Sequence, residues 1–283
     1  MTTWKLTVEY DGSRYSGWQE QKNARTVEGE VHAAIQSLLG VVVQMQGSGR
    51  TDAGVHALCQ VAHVRAPGRP RVDERALLRE LNERLPADIA VLSIQPAAPD
   101  FHARHDASAR VYLYRISTRK NAFAKRHVWW VSPALDVAAM AQAARLLAGR
   151  HDFRNFRAED PARPDESTIV VVQNAEIECL GGEIRFRIQA SHFIWKMVRR
   201  VVGALVKVGL GELPIADFAR LIDEPAKFSL PVAEWTAPAS GLFLEDVRYP
   251  ERGHAPGKAP RGPLRVAFGG RAGSRLNRPR HGE

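Results

Sequence analysis

The chain has 283 residues, 45% hydrophobic and 25% charged, which excludes collagen-like and wholly disordered chains and is enough to bury one large core or two ordinary ones. Its formal charge of +9 favours a polyanionic partner such as nucleic acid, yet eight of the 40 Lys and Arg fall in residues 251–283, against only Glu251 and Glu283. A nucleic-acid site in the other 250 residues therefore has to come from clustering in the fold.

Trp4 to Tyr10 alternates apolar and polar residues and runs into Asp11-Gly12, as a half-buried strand ending in a turn does. Thr26 caps a helix over about 27–39, Gly40 stops it, and the β-branched run Val41-Val42-Val43 reads as the next strand. Gln60–Val64 reads as a short strand. Asp73 caps a helix through Arg84 with Leu77, Leu78 and Leu81 on one face, and Ile89–Ile94 is a further strand. A second half opens with a strand at Ala109–Ser117, followed by a helix capped by Asp136 and ended by Gly149. Paired strands at Thr168–Cys179 and Glu183–Ala190, a long helix over about His192–Val208 and a last strand at Leu242–Tyr249 complete it.

Strands grouped as hairpins between helices, without regular βαβ alternation, predict an α+β fold: antiparallel sheet with helices packed on one face. The divisions are an N-terminal half at 1–106, a C-terminal half at 107–250, and a basic tail at 251–283 whose seven Gly and four Pro predict mobility. Cys59 and Cys179 form no CxxC pair, so a reducing cytoplasm is expected. The N-terminus lacks a basic-then-apolar signal, and the longest apolar stretch, Val201–Leu210, is interrupted by Lys207, so no membrane role is expected.

The densest unusual stretch is Gly47-Ser-Gly-Arg50-Thr-Asp52-Ala-Gly54-Val-His56. It is no dinucleotide fingerprint, which needs glycine where Asp52 stands, and no P-loop, because no GK[ST] follows. Glycines at 47, 49 and 54 allow a tight path that displays Arg50 and Asp52. Such a loop is either a catalytic one or a polar turn in which Asp52 bonds its own backbone. His102 and His105 have metal-like spacing, but no Cys or carboxylate set completes a site, so no metal is expected. Trp129-Trp130 and His192-Phe193 read as core or interface.

Gly49-Arg-Thr-Asp52-Ala-Gly-Val-His56 resembles the signature of the tRNA pseudouridine synthase A family. The same family's pattern is seen, in order, in Glu9-Tyr-Asp-Gly-Ser-Arg-Tyr-Ser-Gly-Trp18-Gln, Phe101-His-Ala-Arg104, Ala109-Arg-Val-Tyr112-Leu-Tyr114, Gly149-Arg-His-Asp-Phe153 and Met197-Val-Arg199-Arg-Val-Val-Gly203. The resemblance implies two ferredoxin-like halves joined across a central cleft, and a homodimer acting without cofactor on uridines at positions 38–40 of the tRNA anticodon stem-loop. It implies Asp52 as the catalytic aspartate, Arg50 as the side chain filling the space of a flipped nucleotide, and Tyr112 as the aromatic on the target uracil. It also implies Arg199 as the partner of the aspartate and Leu242 or Leu244 as the apolar wall under the base.

The chemistry wants such a set. Turning uridine into pseudouridine breaks N1–C1′, rotates the uracil, joins C5 to C1′ and removes the C5 proton, with no net oxidation. An ionised carboxylate can attack C1′ or deprotonate C2′, and an adjacent arginine favours its ionised form. An enclosed base needs a flat face to replace lost stacking, a contact contributing about 1–3 kcal/mol per base. Two rivals stand beside this reading: a noncatalytic RNA-binding module, and a hydrolase in which Asp11 or Glu9 joins Asp52.

Overall fold

The computed structural model describes residues 1–68, 72–159 and 165–250. The basic tail expected at 251–283 lies outside the described residues.

Strand β1 (Thr2–Tyr10) turns its even positions inward: Trp4, Leu6, Val8 and Tyr10 are buried. Helix α1 (Val27–Leu39) is capped by Thr26, whose Oγ1 accepts from the Gly29 N–H at 3.3 Å, and stops at Gly40 in left-handed conformation. The next strand, β2, is the polar Gln44–Gly47 and not the Val41–Val43 run. Pairing of Gln44 with Arg65 of β3 (His56–Ala66) decides its position, and Val42 stays 80% exposed in the connection. Strand β3 is thus longer at both ends than Gln60–Val64 suggests. Helix α2 (Glu74–Arg84), capped by the Asp73 carboxylate, and β4 (Ile89–Ala97) complete the N-terminal half.

The C-terminal half contains β5 (Ala109–Ser117), the two-residue β6 (Trp129–Trp130), α3 (Val137–Arg145), β7 (Gly149–Asp152), β8 (Ile169–Leu180), β9 (Glu183–Ala190), α4 (Met197–Gly209), α5 (Ile215–Asp223) and β10 (Leu242–Arg248). Two helix boundaries differ from expectation. Helix α3 ends at Arg145, where Leu146 and Leu147 bond back three residues and Leu147 drops into the core; Gly149 opens β7 instead. Helix α4 begins at Met197, five residues after His192, because Lys196 sits at φ 60° and breaks the helical path.

The strand order is β4-β1-β3-β10-β5-β9-β8-β7, with β2 also on β3 and β6 on β5. Each half follows the same plan: β1-α1-β2-β3-α2-β4 pairs in the order β4-β1-β3-β2, and β5-α3-β8-β9-α4-β10 pairs as β10-β5-β9-β8. Within each half these pairs are antiparallel, and the halves join where β10 runs parallel to β3. On that edge of β3, β10 takes His56–Ala57 while β2 takes Ala62–Arg65. Residues 48–55, linking β2 to β3, leave the sheet where the partner changes.

Inward residues of both halves, such as Leu6, Val64, Leu244, Tyr114, Phe186 and Ile188, share one core with Val31 and Ile35 of α1, Leu81 of α2, Met140 of α3, Leu205 of α4 and Phe218 of α5. Fully burying one such side chain contributes about 1.5–3 kcal/mol. The other sheet face carries charge pairs instead: Arg115 with Glu183 at 2.6 Å and Arg187 with Glu245 at 2.6 Å. Helices therefore cover one face, and among the described residues no helix is long and apolar enough to cross a membrane.

Candidate active site

The 48–55 loop is tied down on its backbone, which frees its side chains. Ser48 N–H donates to Val61 O at 2.7 Å, the Gln60 amide donates to Gly49 O at 3.0 Å, and Trp18 N–H donates to Thr51 O at 3.1 Å. The buried hydroxyls of Tyr10 and Thr51 share a bond of 2.8 Å. Two of the three glycines are required: a Cβ on Gly47 would lie 2.4 Å from the Trp18 indole nitrogen, and Gly54 has φ +77°. Gly49 faces open space.

Held this way, the Asp52 carboxylate reaches across to the C-terminal half and does not bond its own turn. Its Oδ1 accepts from the Trp195 indole N–H at 3.1 Å, and its Oδ2 lies 3.5 Å from the Arg199 guanidinium. That guanidinium is fixed by its Nε–H donating to Ala237 O at 2.7 Å. At 3.5 Å the second contact is an ion pair at the limit of hydrogen bonding. Unlike charges about 4 Å apart near a protein surface attract by about 4 kcal/mol before desolvation is counted. The two side chains are partly exposed, 29% for Asp52 and 17% for Arg199, so the net contribution is smaller.

Both line a cleft of about 700 Å³ together with Trp18, Arg50, Tyr112, Phe193 and Leu242. That is within the range that encloses a small organic group. Tyr112 is inward on β5, opposite Leu244 of β10 and Ile188 of β9, with the Phe193 ring edge-on at 5.0 Å. Burial, with Asp52 adding to it, pushes the Tyr112 phenol well above its ordinary range, so the hydroxyl stays protonated at neutral pH. Leu242 is on the cleft wall. Leu244, two residues on, is 1% exposed in the core beside Tyr112 and is not among the lining residues.

Arg50 rests against the N-terminal half. Its Nε–H donates to Gln19 Oε1 at 3.1 Å, and the Gln19 amide donates to Glu28 Oε2 at 2.9 Å, Glu28 being buried, which raises its carboxyl above the usual range. Arg110 ties the walls together: its two terminal nitrogens donate to the carbonyls of Ala107, Ser191, Ser48 and Arg104 at 2.7–3.2 Å. The cleft is thus ringed by cations, with Asp52 and Glu166 its lining acids, a balance that suits a phosphate backbone.

His192 and Phe193, read from sequence as core or interface, line this cleft, as do Gln19, the last residue of the Glu9–Gln19 motif, and Trp195, which lies outside every motif above. The Nδ1 of His102 accepts from the Arg104 and His105 backbone N–H groups at 3.2 Å. Among the described residues, three potential ligands do meet elsewhere: Asp11 lies 3.1 Å from His56 Nδ1 and 3.0 Å from His127 Nε2. Burial pushes the Asp11 carboxyl up, but Ser13 donors and the two imidazoles outweigh it and pull it down to about 2. This cluster braces the end of β1 against the start of β3. Neither Asp11 nor Glu9, the acids a hydrolase would recruit, lines the cleft.

Comparison with known proteins gives the class. A family model described as tRNA pseudouridine synthase matches residues 6–106 and 143–250. The chain belongs to that family and is therefore an isomerase. It is similar to tRNA pseudouridine synthase A of Beijerinckia indica, 39% identical over 264 residues covering 92% of this chain and 98% of the relative. The enzyme of that name from Rhodospirillum rubrum is 40% identical over 262 residues, covering 92% of each chain. The one from Neisseria meningitidis serogroup B is 38% identical over 252 residues, covering 88% of this chain and 92% of the relative.

Proposed function

We propose that the chain converts uridine to pseudouridine at positions 38–40 of the tRNA anticodon stem-loop, with Asp52 as catalytic carboxylate and no cofactor, as a cytoplasmic homodimer of two ferredoxin-like halves per subunit. The observation that carries the reading is the Asp52 carboxylate, gripped by Trp195 and Arg199 in the same cleft as Tyr112 and Leu242. The repeated strand order supports the ferredoxin-like halves.

The target uridine leaves its stack and its uracil takes the space between Tyr112 and Leu242, while Arg50 gives up Gln19 to fill the vacated place in the RNA. Asp52 then attacks C1′, or removes a proton from C2′, as the N1–C1′ bond breaks. The freed uracil turns against the Tyr112 ring and C5 bonds to C1′, either as the Asp52–C1′ bond breaks or as Asp52 returns its proton to C2′; the C5 proton then leaves and N1 ends protonated, so composition is unchanged. Because the Tyr112 hydroxyl is protonated, it serves as a hydrogen-bonding group at the ring edge and not as a standing phenolate base. Flanking sequences differ among the three positions, so recognition rests on RNA shape and backbone.

The test is incubation with unmodified tRNA followed by mapping of carbodiimide adducts through reverse-transcription stops. Stops reporting positions 38–40 are expected. Modification elsewhere overturns the placement, and no modification overturns the activity.

A further inference from the structure

One contact in the cleft has no part in the steps above. The Trp195 indole N–H donates to Asp52 Oδ1 at 3.1 Å, from a side chain 40% exposed whose N–H has water as a ready alternative. Arg199 alone, at 3.5 Å from Oδ2, leaves the carboxylate able to rotate about its Cβ–Cγ bond. A donor on each oxygen removes that freedom, and each oxygen keeps a second lone pair for the sugar.

The backbone around Trp195 is built to hold it there. Its carbonyl accepts from Ala158 N–H at 2.9 Å, and the preceding Ile194 carbonyl accepts from Met197 N–H at 3.1 Å. Lys196, between the two residues that grip Asp52, is the sole non-glycine of positive φ among the described residues, at 60°. A left-handed lysine is strained and persists only where its surroundings impose it. Its ammonium lies 5.0 Å from the Trp195 ring centre, within cation–π range.

We propose that Trp195 is a positioning residue for Asp52, fixing the carboxylate plane toward the bound sugar through its indole N–H. The inference rests on the reading of Asp52 as the catalytic carboxylate. Its contribution belongs to the chemical step and not to tRNA binding, since the donor is spent on the enzyme's own carboxylate.

Trp195→Phe keeps an aromatic ring and deletes the donor, and single-turnover kinetics across tRNA concentration separate the two effects. Loss of a hydrogen bond to a charged group predicts a saturating rate lower by about tenfold to a hundredfold, with half-saturating tRNA changed by less than about threefold. A wild-type saturating rate overturns the inference, as does a loss confined to half-saturation, which makes Trp195 an RNA contact. If the Phe variant fails to fold by circular dichroism, Trp195→Leu is read by the same two parameters. Asp52→Asn is run alongside: an inactive Asn variant beside an unimpaired Phe variant sinks only the role of Trp195, whereas an active Asn variant removes the reading on which it rests.

Discussion

The two halves share one strand plan, and the link between their middle strands is built differently in each. In the C-terminal half, β8 and β9 are joined by Gly181-Gly182 alone, both at positive φ, with Leu180 paired to Glu183. In the N-terminal half the equivalent link from β2 to β3 is the eight-residue loop 48–55 that carries Arg50 and Asp52. The hairpin is short because β8 and β9 pair up to the turn. The loop is long because β3 gives its first residues to β10 and only later ones to β2, so the chain must bridge the change of partner. On the proposed function, the chemistry sits where strand pairing is interrupted, and the paired strands around it hold that interruption in place.

Substitutions should separate the loop from the framework. The largest combined effect is expected for Gln60→Leu, which strips the fully buried amide from Ser48 Oγ and Gly49 O. Loss of buried partners predicts about 2 kcal/mol of destabilisation in urea unfolding, and turnover should fall with it because the loop loses its anchor. A variant that loses stability at full turnover would show that the loop's rigidity is not needed.

Asp11→Asn should act on stability alone. The Asp11 carboxyl is depressed to about 2 when folded, so its contribution is complete above the ordinary carboxylate range and is lost as pH falls toward 2. With a side chain 30% exposed, solvent screening limits the effect to about 1 kcal/mol. The stability gap between wild type and variant, measured by urea titration, should be constant from pH 7 to 5 and close below 4; a gap that widens on acidification reverses the assignment. The smallest effect is expected for Gly182→Ala, which places a Cβ at φ +83° in open space. It should cost about 1 kcal/mol and leave turnover unchanged.

Much of this architecture is legible in the sequence where the signal is local. The alternation of Trp4–Tyr10 and the caps Thr26, Asp73 and Asp136 each locate an element through bonds made within a few residues. Elements set by distant partners were not legible. Strand β2 is polar and is defined by β3, β6 is two residues long and exists through β5, and α5 follows Pro214 without a side-chain cap. The same holds at the site. The 48–55 motif announces Asp52 and Arg50, but which apolar residue of β10 reaches the cleft follows from register, and Trp195 reaches Asp52 through a backbone kink at Lys196 that no residue pattern signals.

On the proposed function, Asp52 performs the chemistry in a cleft that both halves build. The most direct measurement is tritium release from tRNA labelled at uridine C5, comparing wild type with Asp52→Asn at equal tRNA occupancy. Release by wild type, with none by the variant, is predicted, the tRNA affinities agreeing within about tenfold because phosphate contacts carry most of the binding. Equal release by the two proteins would contradict the claim.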